Sequence, residues 1–279
     1  MKKVFGLLGH PIGHSMSPIM HEAAYKNMNK EATYVGFDVA PDQLEQAVKG
    51  IRALGISGCN VTIPHKVEVM NYLDEIDEEA RQIGAVNTIV NVNGYLKGFN
   101  TDGRGYIQSL LTVTESLTQK NILVIGAGGA ARAVISAMAA HQPSKIVIAN
   151  RTEEKAQILA DMFKDVSASI QVLSVLEAEK QLGDFSIIIN TTSVGMSPNV
   201  ADQPISLKNL AEGSVVSDLI YNPLETVLLK EAKQKKAHTL NGVGMFVQQG
   251  ALSIEHWTGH FPDILPMQEV VLSQLKKSK

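Results

Sequence analysis

Asn121-Ile122-Leu123-Val124-Ile125-Gly126-Ala127-Gly128-Gly129-Ala130-Ala131-Arg132 carries an apolar strand into a glycine turn and out into an alanine-rich helix. The turn fits G-x-G-x-x-[G/A]. Gly126 permits a tight bend, Gly128 lets the backbone approach a pyrophosphate, and Ala131 is small enough for close helix–strand packing. Amide groups of Gly126, Ala127, Gly128, Gly129 and Ala130 at the new helix's N-terminus, reinforced by its dipole, would face the phosphates. Glycine turns of this kind also join strands to helices in folds that bind nothing, so the setting decides. A strand before and a helix after make this a dinucleotide-binding βα unit.

The next strand indicates which dinucleotide. Lys145-Ile146-Val147-Ile148-Ala149-Asn150 ends where an NAD-binding fold places an acidic residue on the ribose 2′-hydroxyl, and here the tip reads Asn150-Arg151-Thr152, with Lys155 one turn on. An acidic side chain would repel a 2′-phosphate, whereas the Arg151 guanidinium can pair with it and stack beside the adenine. The expectation is NADP rather than NAD. The competing reading makes Arg151 and Lys155 ordinary solvated charges opening a helix capped by Thr152.

A chain of 279 residues accommodates two domains. With 44% hydrophobic residues, 19% charged residues and a net charge of −3, it lacks both the basic excess of a nucleic-acid binder and the composition of a disordered chain. The single cysteine, Cys59, excludes an intramolecular disulfide and suits a reducing cytosol. The apolar run after Lys2 and Lys3 stops at Gly9-His10-Pro11, too short for a secretory segment, so a cytoplasmic protein is expected. Residues 122–140 are nearly all apolar, but Gly126, Gly128, Gly129 and Arg132 argue against a membrane span.

Strand and helix patterns alternate through the first block: Val4–Leu8, a helix from Ser17 to about Met28, Thr33–Asp38, a helix after Pro41, Ile56–Ile63, then helices through about Gly84. Thr88–Val92 and Tyr95–Phe99 flank Asn93-Gly94 as a hairpin. Strand candidates 121–125, 145–149, 169–173, 185–190, 214–218 and 238–240 match a doubly wound Rossmann sheet of about six strands. After Asn241-Gly242 the pattern is helical, Met245 to about Trp257 and Pro262 to about Lys276, and these helices are expected to fold back on the first block. The resulting expectation is an α/β protein of two domains. Residues 1–103 with 241–279 form a mostly parallel substrate domain completed by C-terminal helices, residues 104–240 form the nucleotide domain, and a cleft between them is the natural ligand site.

A reductase must also protonate the alkoxide left when a carbonyl carbon accepts a hydride. In Asn60-Val61-Thr62-Ile63-Pro64-His65-Lys66 a strand ends at a proline-bounded turn, with Asn60 and Thr62 on one side by the period of two. Lys66 would open the next helix, where the positive end of the dipole eases proton exchange. Asp102, after the strand end Gly98-Phe99-Asn100-Thr101, is either a helix N-cap or, if it faces Lys66, the partner in an acid/base couple. Ser15 and Ser17, ahead of Pro18, sit at a helix start with Ser17 as the cap, where hydroxyls and free N–H groups suit a small carboxylate. His10 and His14 lack the spacing and the third ligand of a metal site, and no metal is expected. His65 is a rival proton donor by its intrinsic pKa.

Taken together, these segments resemble the shikimate dehydrogenase family over essentially the full length. The resemblance rests on nine segments in one order: 9–18, Asn60 to Lys66, Gly84 to Thr88, Asn100 to Gly103, Gly126 to Ala131, Asn150 to Thr152, Asn190-Thr191-Thr192-Ser193-Val194-Gly195-Met196, Asp218-Leu219-Ile220-Tyr221-Asn222-Pro223, and Asn241-Gly242 through Gln249-Gly250-Ala251. It implies NADP-dependent interconversion of 3-dehydroshikimate and shikimate, in the formation of aromatic compounds. Ser15 and Ser17, helped by Tyr221, would bind the substrate carboxylate. Asn60, Thr62, Lys66, Asn87, Asp102 and Gln249 would ring its hydroxyls and carbonyl, with Lys66 exchanging the proton and Asp102 as its partner. Thr192, Leu219 and Gly242 would lie at the nicotinamide end. The same residues admit a quinate/shikimate dehydrogenase of dual substrate use. A non-catalytic nucleotide sensor would not need Lys66 and Asp102. A monomer or a homodimer is equally compatible.

Overall fold

The computed structural model describes residues 2–164 and 168–277. The chain forms two compact units, Met1–Gly105 with Val247–Lys279, and Tyr106–Phe246. Both boundaries fall inside helices, Asp102–Leu110 and Val243–Thr258.

The first unit holds β1 (Lys3–Gly9), β2 (Ala32–Asp38), β3 (Gly58–Val61), β4 (Glu75–Ile76), β5 (Thr88–Val92) and β6 (Tyr95–Phe99), in the sheet order β2-β1-β3-β5-β6-β4. β1 runs parallel to β2 and β3, while β5 is antiparallel to β3 and to β6 across the Asn93-Gly94 turn, where both residues take positive φ. Because β5 runs against β3, its first residue Thr88 pairs with Asn60 on one side and with Phe99 on the other. That reversal brings the end of β3, the start of β5 and the end of β6 to one edge of the sheet. The helices Val243–Thr258 and Ile264–Lys277 complete this unit, the latter packing on Ser17–Asn27. Trp257 stacks on Phe5 with centroids 4.8 Å apart and donates its indole N–H to Ile89 O at 2.9 Å.

Two expectations for this unit differ from the structure. The strand read over Ile56–Ile63 covers only Gly58–Val61, since Ile56 N–H closes the preceding helix by donating to Ile51 O and the chain turns before Pro64. The helices expected through Gly84 shrink to a 3₁₀ turn, Glu68–Tyr72, and one short α-helix, Glu78–Ile83. Between them Asp74 accepts from Arg52 and from Leu96 N, which pulls the chain onto the sheet edge as β4. Asp77 then caps the short helix by accepting from Glu79 N, and Gly84 at φ +68° ends it.

The second unit is a six-stranded parallel sheet of β7 (Asn121–Ile125), β8 (Lys145–Ala149), β9 (Ser169–Leu173), β10 (Ile187–Asn190), β11 (Val215–Asp218) and β12 (His238–Leu240) in the order β12-β11-β10-β7-β8-β9, the doubly wound arrangement. Its middle strands β7, β8 and β10 are almost wholly apolar because both their faces are covered, whereas the edge strands β9 and β12 carry polar, partly exposed residues. Ile122, Val124, Ile146 and Ile148 enter one core, and Leu123, Ile125, Val147 and Ala149 the other.

Candidate active site

At the shared sheet edge of the first unit, Lys66 Nζ lies 2.6 Å from Asp102 Oδ2, with the two side chains 29% and 13% exposed. Asn87 Nδ2 donates to Asp102 Oδ1 at 2.8 Å, so the carboxylate is gripped on both oxygens. Asn87 is itself locked: its Oδ1 accepts from Thr101 N at 2.9 Å and Thr88 Oγ1 at 2.8 Å. Three loops are stitched by backbone bonds as well, Val86 N to Lys66 O, Asn87 N to Phe99 O and Val61 N to Asn87 O.

Beneath them is a buried polar layer. Asn60 accepts from Tyr34 OH at 2.8 Å and reaches Asn87 O, Thr88 Oγ1 and Ser253 Oγ with its amide nitrogen. Ser253 Oγ and Thr101 Oγ1 both donate to Gln249 O, which ties the helix carrying Gln249 to the floor of the site. Thr62, half-buried, follows the end of β3 with its N–H on Leu8 O. Tyr34 and Ser253 were not singled out from the sequence. Ser253 stands one helical turn after Gln249, a weak signal on its own.

Several local readings change. No α-helix opens at Lys66; residues 63–67 form turns leading to Glu68–Tyr72, and the lysine is held by Asp102 rather than set against a helix dipole. Asp102 is the first residue of its helix and not the cap, since Asn100 Oδ1 accepts from Asp102 N at 3.0 Å and leaves the carboxylate to Lys66. Ser17 does not cap its helix either. Met16 occupies the cap position, and Ser15 Oγ accepts from Ser17 N at 3.2 Å. His65, the rival donor, is buried with Nε2–H on Val39 O at 2.7 Å. His10 pairs with Asp38 at 2.7 Å, and among the described residues no group of three His, Cys, Asp or Glu is placed to hold a metal.

The second unit carries the dinucleotide turn. Gly126 has φ +113°, a conformation open to glycine, and Ala131 is fully buried in the core. An added Cβ at Gly128 or Gly129 would meet nothing within 4 Å, so no protein packing requires glycine there and the space above the helix start is open to a pyrophosphate. Arg151 is exposed just beyond the end of β8, beside Asn150, whose Nδ2 donates to Thr152 O at 2.8 Å, and Lys155 is exposed on the following helix. Thr152 occupies that helix's cap position without a side-chain bond. Thr192 N and Oγ1 donate to Asn190 Oδ1 at 3.0 and 2.7 Å. At Gly242 an added Cβ would overlap the backbone of Leu219, and Gly242 N donates to Ile220 O. Tyr221 packs on Phe246 at 5.0 Å, and burial raises its hydroxyl pKa.

A doubly wound sheet with a glycine turn, in one chain with a lysine gripped by a half-buried carboxylate, defines a pyridine-nucleotide-dependent oxidoreductase. Family models match residues 7–89 as a shikimate dehydrogenase substrate binding domain, 109–205 as shikimate / quinate 5-dehydrogenase, and 242–272 as a shikimate 5'-dehydrogenase C-terminal domain. The shikimate dehydrogenase (NADP(+)) of Shouchella clausii is 55% identical over 277 residues, covering 99% of this chain and 100% of that protein. A shikimate dehydrogenase crystallised with NADP+ superposes with a TM-score of 0.92 at 47% identity, over 98% of this chain and 96% of that one. The Listeria monocytogenes shikimate 5-dehydrogenase, solved with shikimate and NAD, gives 0.91 at 33% identity, over 97% and 96%. The chain belongs to the shikimate dehydrogenase family. Among the described residues no helix is long and apolar enough to cross a membrane.

Proposed function

We propose that the chain catalyses the reversible, NADP-dependent oxidation of shikimate to 3-dehydroshikimate, with Lys66 and Asp102 exchanging the proton of the reacting hydroxyl. The observation that carries this reading is the 2.6 Å contact between Lys66 Nζ and Asp102 Oδ2 at the sheet edge, buttressed by Asn87. NADP, when bound, supplies the hydride acceptor. Gly126 to Ala130 would cradle its pyrophosphate, Asn150, Arg151, Thr152 and Lys155 its phosphorylated ribose, and Thr192, Leu219 and Gly242 its nicotinamide end.

The chain's own residues bind, orient and move the proton. Asp102 accepts from both Asn87 and Lys66, which leaves the remaining ammonium protons of Lys66 free to meet a ring oxygen. A proton on that hydroxyl oxygen then passes to or from the lysine–carboxylate couple. Ser15 Oγ accepts from Ser17 N, so its own proton is available for a carboxylate oxygen, with Ser17 and Tyr221 as further donors. Asn60, Thr62, Asn87 and Gln249 complete the polar floor under the ring hydroxyls. Such a site rejects analogues lacking a hydroxyl, because its buried groups would lose partners. A cytoplasmic enzyme, monomeric or homodimeric, belongs to the same reading and accords with a free, buried Cys59.

Absorbance at the reduced-nicotinamide band, with shikimate or quinate and NADP or NAD in all four combinations, tests substrate and cofactor together. Turnover is expected to be greatest with shikimate and NADP. Preferred turnover of quinate, or no turnover of either acid, would overturn the assignment.

A further inference from the structure

At the carboxyl ends of β10 and β11, Asn190 and Asp218 face each other in register, with relative exposures of 0% and 1%. Three donors converge on the Asp218 carboxylate: Asn190 Nδ2 at 3.0 Å and Ile220 N at 3.1 Å on Oδ1, and Thr226 Oγ1 at 2.7 Å on Oδ2. All three are neutral, and no ion pair among the described residues includes this side chain. Each bond continues into a loop. Asn190 Oδ1 holds Thr192 through both its N–H and its hydroxyl, and Asn190 Nδ2 also reaches Val194 O at 3.3 Å. Ile220 fixes the turn between Leu219 and Tyr221, and its carbonyl accepts from Gly242 N. Thr226 caps the helix Val227–Gln234 by accepting from Leu229 N, and Ser197 N to Asn222 O joins the two loops a second time.

We propose that Asp218 is a positioning residue for the reaction: its buried carboxylate fixes Thr192 and the Leu219–Tyr221 segment in one arrangement, and so sets the wall of the second unit that faces the nicotinamide. The inference rests on the assignment of Thr192, Leu219, Tyr221 and Gly242 made above. Two oxygens receiving three N–H and O–H groups call for a group that only accepts. A buried carboxylate held by neutral donors is costly in solvation, and burial raises its pKa despite the three bonds. The solvation cost is offset by satisfying three buried donors, and each of those donors belongs to a loop whose register the carboxylate thereby fixes.

The test uses the full-length enzyme with Asp218→Ala, Asp218→Asn, Thr192→Val and Tyr221→Phe. Alanine leaves three buried donors without an acceptor. The expected result is a kcat lowered by about 10- to 100-fold, as for a displacement of about 1 Å at a reacting centre. NADP affinity by fluorescence titration should change less than about threefold, because Gly126 to Ala130 and Arg151 are untouched. In the nucleotide-free protein, hydrogen exchange should quicken over 190–196 and 219–224 ahead of the rest of the sheet. Asp218→Asn keeps an oxygen for Asn190 and Ile220 and should recover part of the rate, and it serves as the test if alanine does not fold. A folded Asp218 variant with wild-type kcat overturns the proposal. So does a series in which kcat, NADP affinity and melting temperature decline together, since that pattern describes a merely structural carboxylate. If Thr192→Val and Tyr221→Phe both behave as wild type, the site assignment itself fails and the proposal falls with it; if they are impaired and the Asp218 variants are not, only the proposal falls.

Discussion

Replacing Lys66 by methionine removes the ammonium while leaving a side chain of similar length. Two consequences must be weighed. The ion pair with Asp102 is part-buried, 29% and 13% exposed, so its loss costs somewhat more than the ~1 kcal/mol of a fully solvated pair, but Lys66 and Asp102 both keep a path to water. Asp102 keeps its bond to Asn87, and Asn87 keeps Thr101 and Thr88, so the loops remain stitched. The chemical effect is larger. A positioned acid/base group accelerates proton transfer by about 10²- to 10⁴-fold, or about 2.7–5.5 kcal/mol of barrier. Lys66→Met should therefore fold, melt within a few degrees of the parent and bind shikimate with little change, since Ser15 and Ser17 are unaltered. Its kcat should fall by two to four orders of magnitude in the absorbance assay with shikimate and NADP. A folded variant that turns over at the parental rate would refute the role of the lysine, and one whose KM rises while kcat holds would make Lys66 a binding group only.

Arg151→Ala should weaken NADP binding by about 10- to 100-fold, the worth of a charge-assisted pair, while weakening NAD binding far less, since NAD loses only the stacking on its adenine; fluorescence titration with both nucleotides decides it. Gly242→Ala should lower the melting temperature and NADP affinity together, because a methyl group there collides with the Leu219 backbone, which cannot rotate away. His21 is buried with neither ring nitrogen hydrogen-bonded, stacks on Tyr34 at 4.0 Å, and burial lowers its pKa to about 3. Its folded pKa lies below the unfolded value, so the unfolded chain takes up a proton that the native state refuses, and stability drains away as pH falls below about 6.5. The loss from this residue should reach about 2 kcal/mol near pH 5, and His21→Phe should flatten that part of a denaturation-against-pH curve; identical slopes in the two proteins would contradict it.

The nucleotide unit was readable because its signals are local. The apolar runs at 121–125 and 145–149, the glycine turn and the change of period from strand to helix all lie within a few residues of one another, and the hairpin announced itself through Asn93-Gly94. The reading weakened where the outcome depended on distant partners. The segment before Gly84 has helical composition, yet Arg52 and the β6 backbone claim Asp74 and draw the chain into a strand. Ser17 and Asp102 have the chemistry of caps, but Ser15 and Asn100 supply the acceptors. The buried layer under the site was out of reach for the same reason, since Asn60 finds Tyr34 26 residues away and Ser253 193 residues away. Motif resemblance located Asn87 and Gln249 without revealing that one grips Asp102 and the other lends its carbonyl to the floor.

That last separation bears on how the molecule is made. The stretch from Tyr106 to Phe246 is continuous, so the contacts within it need no residue translated after Phe246. The segment before it has no such independence: Asn60 awaits the hydroxyl of Ser253 and the Ile89 carbonyl awaits the indole of Trp257, both translated only after the whole of that stretch. The unit whose residues come earlier in the chain thus closes after the one encoded inside it, because its interior is complete only when Ser253 and Trp257 are in place.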